Sequence, residues 1–234
     1  SNHAGMMAYH AMRALPHDMI GYAITGGGAV MVPTYGAEPR VGAVPHAWAV
    51  PAGEMPPFVL DISSSSVAAN KIQLLRRTGR NLLPGLMADE QGTPIMEEQE
   101  VPDGVRLLPW GSTRELGSHK GYGMAVIGRV FSGILSAGLF GISTPPGNGS
   151  QFVAAFSIDA FRDVAEFKRS MEEFLTYLVD TPPAKGHDRV YYAGLPEHEE
   201  TEIREKNGIP LHREVIDWFD SETNRLGLDP IERI

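Results

Sequence analysis

The stretch FVLDISSSSVAANK, Phe58 to Lys71, decides the fold class. Its first five residues are apolar and β-prone, apart from Asp61 near the strand end. Four serines follow, and then helical spacing that runs on through IQLLRRT to Gly79. Serine hydroxyls cap helix starts and glycine ends helices. The pattern therefore predicts a strand, a hydroxyl-rich loop and a helix, with Ser63 to Ser66 as caps and Gly79 as the stop.

The same succession extends outward. Upstream, MIGYAIT (Met19–Thr25) reads as a buried strand and HAWAVP (His46–Pro51) as a short one, while MMAYHAMRAL (Met6–Leu15) has helical spacing up to Pro16. Downstream, FVAAFSI (Phe152–Ile158) is apolar throughout and is expected at the centre of a sheet. RVYYAG (Arg189–Gly194) reads as another strand. Phe161, Val164, Ala165, Met171, Phe174, Leu175 and Leu178 form an amphipathic stripe that Pro182-Pro183 ends. A charged helix closes at Gly208, and Leu211, Val215, Trp218 and Leu226 put one face of a last helix on the core. Strands alternating with helices indicate α/β. With no internal repeat or linker, residues 1–234 read as one unit.

Composition narrows the function. A net charge of −9 over 234 residues argues against nucleic acid or an anionic membrane as partner, since both require a basic footprint. The absence of cysteine excludes disulfides and thiolate chemistry and fits a cytoplasmic protein. Gly123 to Ile142 has roughly the length of a membrane span. Arg129 inside it would cost roughly 2.5–3.5 kcal/mol on insertion, so the expectation is a helix buried on most sides.

Three local motifs do not carry chemistry. Gly26–Gly28 follows a strand but leads to Pro33 rather than into a helix, so it is no dinucleotide fingerprint. His198 to Glu202 lacks the second histidine of a zinc motif. His10, His17, His46, His187 and His212 have no ligand spacing, and no metal site is expected. Two motifs are open. LGSHKGYGM (Leu116–Met124) sets His119 and Lys120 at the start of a glycine-rich helix, where backbone amides and an ammonium suit an anion. The serine loop after Asp61, with Lys71 beyond it, is either a helix cap or a donor-rich binding loop.

In order, these segments resemble the malate/L-lactate dehydrogenase family of the second type. SNHAG matches its S-x-H-F-G, FVLDISSSSVAANK its V-x-D-M-A-T-S-x-V-A-x-G-K, LGSHKGYGMAV its G-G-H-K-G-Y-G-L-A, and REKNGIPL its R-x-x-G-I-x-L. The resemblance implies a non-Rossmann mixed β-sheet flanked by helices. It also implies reduction of small 2-oxo acids or cyclic imines with NAD or NADP, and a homodimer. It assigns Ser63, Ser64, Ser65, His119, Lys120 and Gly194 to the cofactor, and His3 to the substrate and nicotinamide. Because S-x-H-F-G lies inside the family's chains, it further implies a C-terminal portion whose N-terminal segment, with the proton-donating histidine, is a separate chain. Several polar family positions differ here: T-N is Thr25-Gly26, G-T-N-P is Gly42-Ala43-Val44-Pro45, and P-G-E is Ala193-Gly194-Leu195.

Two further expectations stand beside that one. Ser1 would be the nucleophile of an autoprocessed amide or lactam hydrolase, its free amine acting as base and Asn2 and His3 as orienting or oxyanion groups. In the other, the fold persists as a non-catalytic scaffold for assembly.

Overall fold

The computed structural model describes residues 3–138, 149–231 and 233. In chain order its strands are β1 (Met19–Gly26), β2 (His46–Val50), β3 (Phe58–Ile62), β4 (Met87–Ala88), β5 (Arg106–Leu107) and β6 (Ser150–Ser157). Its helices are α1 (Met7–Met12), α2 (Ala69–Thr78), α3 (Ser118–Ser132), α4 (Val164–Val179), α5 (Leu195–Asn207) and α6 (Arg213–Leu226). The main sheet has the order β3-β2-β1-β6, with antiparallel neighbours throughout, and β4 and β5 pair separately. The α/β class and the non-Rossmann sheet are as expected.

The period-two alternation of β1 divides the interior. Tyr22 and Ile24 enter the main core with Met31, Val44, Leu82 and Ala125 of α3. The other face is built from small residues, Ala23, Ala47 and Ala49, and carries α1 through Met7, Ala8 and Ala11. Gly21 makes that approach possible, because a Cβ there would lie 1.9 Å from the Ala11 carbonyl oxygen. Asp61 on β3 accepts the Ala8 amide at 2.8 Å, so the strand-end carboxylate anchors the first turn of α1.

Five expectations need correction. The serines do not cap α2: Ala68 is its N-cap, and none of the four serine side chains accepts a first-turn amide. Gly79 does stop the helix, in the left-handed conformation at φ 60°. β6 is an edge strand rather than a central one; Phe152 and Ala154 face the core while Val153 is 60% exposed on the other side. RVYYAG forms no strand, and Tyr192 serves as a side-chain anchor. Its ring packs with Ala52 and Leu175, and its hydroxyl donates to the Pro56 carbonyl at 2.8 Å. α3 is buried along one stripe only, through Gly121, Ala125, Gly128 and Ser132, while Val126, Ile127 and Phe131 are exposed. The last helix likewise leaves Val215, Trp218 and Leu226 exposed, as is Leu211 just ahead of it; periodicity defines an apolar face without supplying its cover. Among the described residues no helix is long and apolar enough to cross a membrane.

Candidate functional site

The loop after β3 is held from two sides by its own serines. Ser63 Oγ donates to the Ala43 carbonyl and Ser64 Oγ to the Val44 carbonyl, each at 2.8 Å, while the Ser64 amide donates to Ala43 at 2.7 Å. Ser66 Oγ reaches the Pro109 carbonyl at 2.7 Å, and Ser65 Oγ the Val67 carbonyl at 2.9 Å. Ser64 is fully buried, so its bond to Val44 is not exchangeable with water. Ser63 and Ser65 also meet oxygen to oxygen at 2.7 Å. Two hydroxyl hydrogens thus face three acceptor contacts, which leaves the pair rich in lone pairs and short of donors.

Trp110 joins this loop to the start of α3. Its amide donates to the Ser64 carbonyl at 3.1 Å and its indole N–H to the Ser63 carbonyl. Its backbone lies so close to α3 that a Cβ on Gly121 would stand 2.4 Å from the Trp110 nitrogen. His119 and Lys120 therefore project, exposed, from a turn locked to the serine loop. The sequence reading brought these two motifs together only through family likeness. Trp110 itself was missed, although the glycines around it, Gly111, Gly117 and Gly121, are the signature of a tightly packed crossing.

Gly194 sits elsewhere along β3. Its φ of 97° is left-handed, and a Cβ would lie 2.9 Å from Val59, whose amide donates to the Ala193 carbonyl at 2.9 Å. Val59 lies within β3 and Ser63 just past its end, so Gly194 and the serines meet different parts of that strand. Arg189 braces the approach to this loop by bidentate bonds to Glu199 of α5 at 2.9 and 2.5 Å, and lies 4.4 Å over the Tyr191 ring. The bonds to Arg189 hold the Glu199 carboxyl below its ordinary range, and they raise the Arg189 pKa.

His3 is exposed ahead of α1, and its Nδ1 accepts the Gly5 amide at 3.0 Å. That bond assigns the proton of the neutral ring to Nε2, the nitrogen left to donate outward. Ser1 and Asn2 lie outside the described residues. No group of three or more His, Asp or Glu among the described residues has metal-holding geometry.

A second buried polar chain underlies the sheet. The Tyr22 hydroxyl meets His46 Nδ1 at 2.8 Å, and His46 Nε2 meets the Met124 carbonyl at 3.0 Å. A carbonyl can only accept, so Nε2 carries the proton and Nδ1 accepts from tyrosine. Burial lowers the His46 pKa, the Met124 bond opposing it, and burial raises that of Tyr22.

For a dinucleotide, the donor inventory can be matched to the ligand. The serine pair, rich in lone pairs, suits ribose hydroxyls, whereas phosphates require the Lys120 ammonium, because the Ser118 and Lys120 amides already donate to the Thr113 and Gly117 carbonyls. The residues present fit such a cofactor with these roles divided.

Comparison with known proteins identifies the family. The sequence profile described as malate/L-lactate dehydrogenase matches residues 1–219. A malate dehydrogenase of Pyrococcus abyssi is 32% identical over 238 residues, covering 99% of this chain and 66% of the relative. The Delta(1)-pyrroline-2-carboxylate/Delta(1)-piperideine-2-carboxylate reductase of Pseudomonas putida is 26% identical over 190 residues, covering 80% of this chain and 53% of the relative. Among solved structures, malate dehydrogenase from Pyrococcus horikoshii OT3 superposes with a TM-score of 0.85 at 29% identity, covering 99% of this chain and 64% of that one. The chain thus spans just under two thirds of the length of the malate dehydrogenases it matches.

Proposed function

The chain belongs to the malate/L-lactate dehydrogenase family, and on that premise we propose that it forms part of an NAD(P)H-dependent reductase of small 2-oxo acids or cyclic imines. The observation that carries this reading is the Trp110 crossing, which holds the serine loop and the His119–Lys120 turn as one rigid unit. Rigid elements that present groups of opposite hydrogen-bonding character are what an extended, charged cofactor requires.

When bound, the nicotinamide supplies the hydride. The chain's own residues bind and orient. Ser63 and Ser65 accept from ribose, Lys120 neutralises phosphate, and the Gly194 loop closes the far end of the site. His3, protonated at Nε2, donates to the substrate's oxygen or nitrogen and so holds its reducible carbon in place. Among the relatives, the malate dehydrogenases and the pyrroline-carboxylate reductase take substrates that share a carboxylate beside the reducible centre by name, and the same substrate class is proposed here.

Titration with NADH and with NADPH, followed by nicotinamide fluorescence, tests the proposal. Saturable binding of one of them, weakened at least tenfold in Lys120→Ala, is expected. Failure of both nucleotides to bind overturns it.

A further inference from the structure

A cavity of about 290 Å³ opens between residues 32–35, 91–94 and 108–118. Val32, Leu108 and Pro109 are buried and form its floor, with Pro33 and Pro94 beside them. Proline rings carry no N–H, so this part of the wall is apolar. The loops on either side interlock: a Cβ on Gly92 would lie 2.4 Å from the Gly36 carbonyl oxygen and 2.6 Å from Ala37 Cα. The walls are therefore fixed before any ligand arrives.

The rim is polar. Thr34 Oγ1 and Ser118 Oγ, both on the cavity, meet at 3.0 Å, and Ser118 is only 1% exposed. The pair holds two hydroxyl hydrogens and its mutual bond uses one, so the other is left to donate. Arg114 makes no hydrogen bond or ion pair among the described residues, which leaves its N–H groups unspent. Glu115 beside it supplies acceptors, and its own backbone amide and the Thr113 hydroxyl hold its carboxyl below the ordinary range. Tyr35 stands at the mouth with its ring in water. Its φ of 67° is left-handed, at the third position of a turn closed by the Gly36 amide on the Pro33 carbonyl at 2.8 Å. That position favours glycine. A tyrosine held there at a conformational cost, while burying little, indicates a role other than folding.

We propose that this cavity binds one pyranose ring of a sugar. Glu115 disfavours an anion, and a wholly apolar ligand would leave the rim without partners. A pyranose combines C–H faces, which stack on aromatic and proline rings, with an edge of hydroxyls that both donate and accept. The volume lies near the roughly 300 Å³ at which small-molecule sites begin, and so admits a single ring. Tyr35 and the prolines take the C–H face, while Arg114, Glu115 and the Thr34–Ser118 pair share the hydroxyls. The site goes beyond the reductase reading and does not depend on it.

Saturation-transfer NMR with D-glucose, D-galactose and D-mannose, each as the free sugar and as the methyl pyranoside, tests the site, with cyclohexanol and glycine as controls. Saturable binding of at least one sugar and of neither control is expected. Tyr35→Gly removes the ring and relieves the left-handed strain, so binding should weaken roughly fivefold or more while the melting temperature is unchanged or raised. Arg114→Ala, at an exposed position, should weaken binding about as much. Binding of free sugars makes the source a soluble monosaccharide, and binding of methyl pyranosides alone the end of a glycan; either supports the proposal. No saturable sugar binding, equal binding of cyclohexanol or glycine, or full binding in Tyr35→Gly would overturn it. Displacement of the sugar by NADH or NADPH would assign the cavity to the cofactor's ribose and overturn a separate site. Failure of both nucleotides to bind, with sugar binding intact, would defeat only the reductase reading.

Discussion

Replacing Ser64 by alanine removes one hydroxyl from the loop that positions the candidate site. The Ser64 side chain is fully buried and donates at 2.8 Å to the Val44 carbonyl, itself in the core. Deleting the donor leaves that carbonyl short of a bond where water cannot replace it, at a cost of about 1–3 kcal/mol. For a chain of this length each kcal/mol lowers the melting temperature by roughly 2–4 °C, so a fall of about 2–12 °C is expected. Ser66→Ala is the control. Its hydroxyl makes an equally short bond to Pro109 but is only half-buried, so water can take its place and the loss is expected below about 1 kcal/mol. Urea unfolding of both variants, followed by tryptophan fluorescence, gives the two differences side by side. A Ser64→Ala loss no larger than that of Ser66→Ala would refute the claim that burial makes this bond structural.

Three other outcomes follow from the geometry. His46 has its pKa below the ordinary 6.5, so the unfolded chain takes up its proton first; stability is whole above that pH and falls as pH drops below it, and His46→Gln, measured by urea unfolding between pH 7.5 and 5, should flatten the slope. Gly21→Val forces α1 away from β1 and is expected to cost at least the roughly 1–3 kcal/mol of an overpacked core, read by thermal unfolding. Trp110→Phe keeps the ring but loses the indole bond to Ser63, so NADH or NADPH affinity should fall about three- to tenfold, with a stability loss of roughly 0.5–1.5 kcal/mol; unchanged affinity would separate Trp110 from the site.

Local patterns announced most of the elements. The β-prone runs of β1 to β3 and the glycine stops at Gly79, Gly208 and Gly227 were legible because strand periodicity and glycine caps, left-handed at Gly79 and Gly227, are short-range properties. What escaped was long-range. Ser63, Ser64 and Ser66 carry the same hydroxyls whether they cap a helix or bond to carbonyls some twenty and forty residues away, and only the fold distinguishes the two. RVYYAG has strand composition, but it forms no strand and Tyr192 anchors it by its side chain. Arg129 entered the sequence reading as an obstacle to membrane insertion; in the fold it is buried beside Gly26, on a different element. Motif likeness gathered the serines, His119 and Lys120 into one site, while the residue that physically joins them, Trp110, belongs to neither motif.

The strand order has a consequence during synthesis. β1, β2 and β3 are contiguous in the chain and can pair as soon as they emerge, but β6 lies roughly 90 residues beyond β3. At about 5–20 residues per second a ribosome needs roughly 5–20 s to deliver it. Throughout that interval β1, later an interior strand, presents a bare row of amides and carbonyls along eight residues. The nascent chain is therefore exposed to strand-to-strand association with its neighbours on a polysome. Slowing elongation between Ile62 and Ser150 should lower the soluble yield, whereas the same delay placed after Ser157 should not.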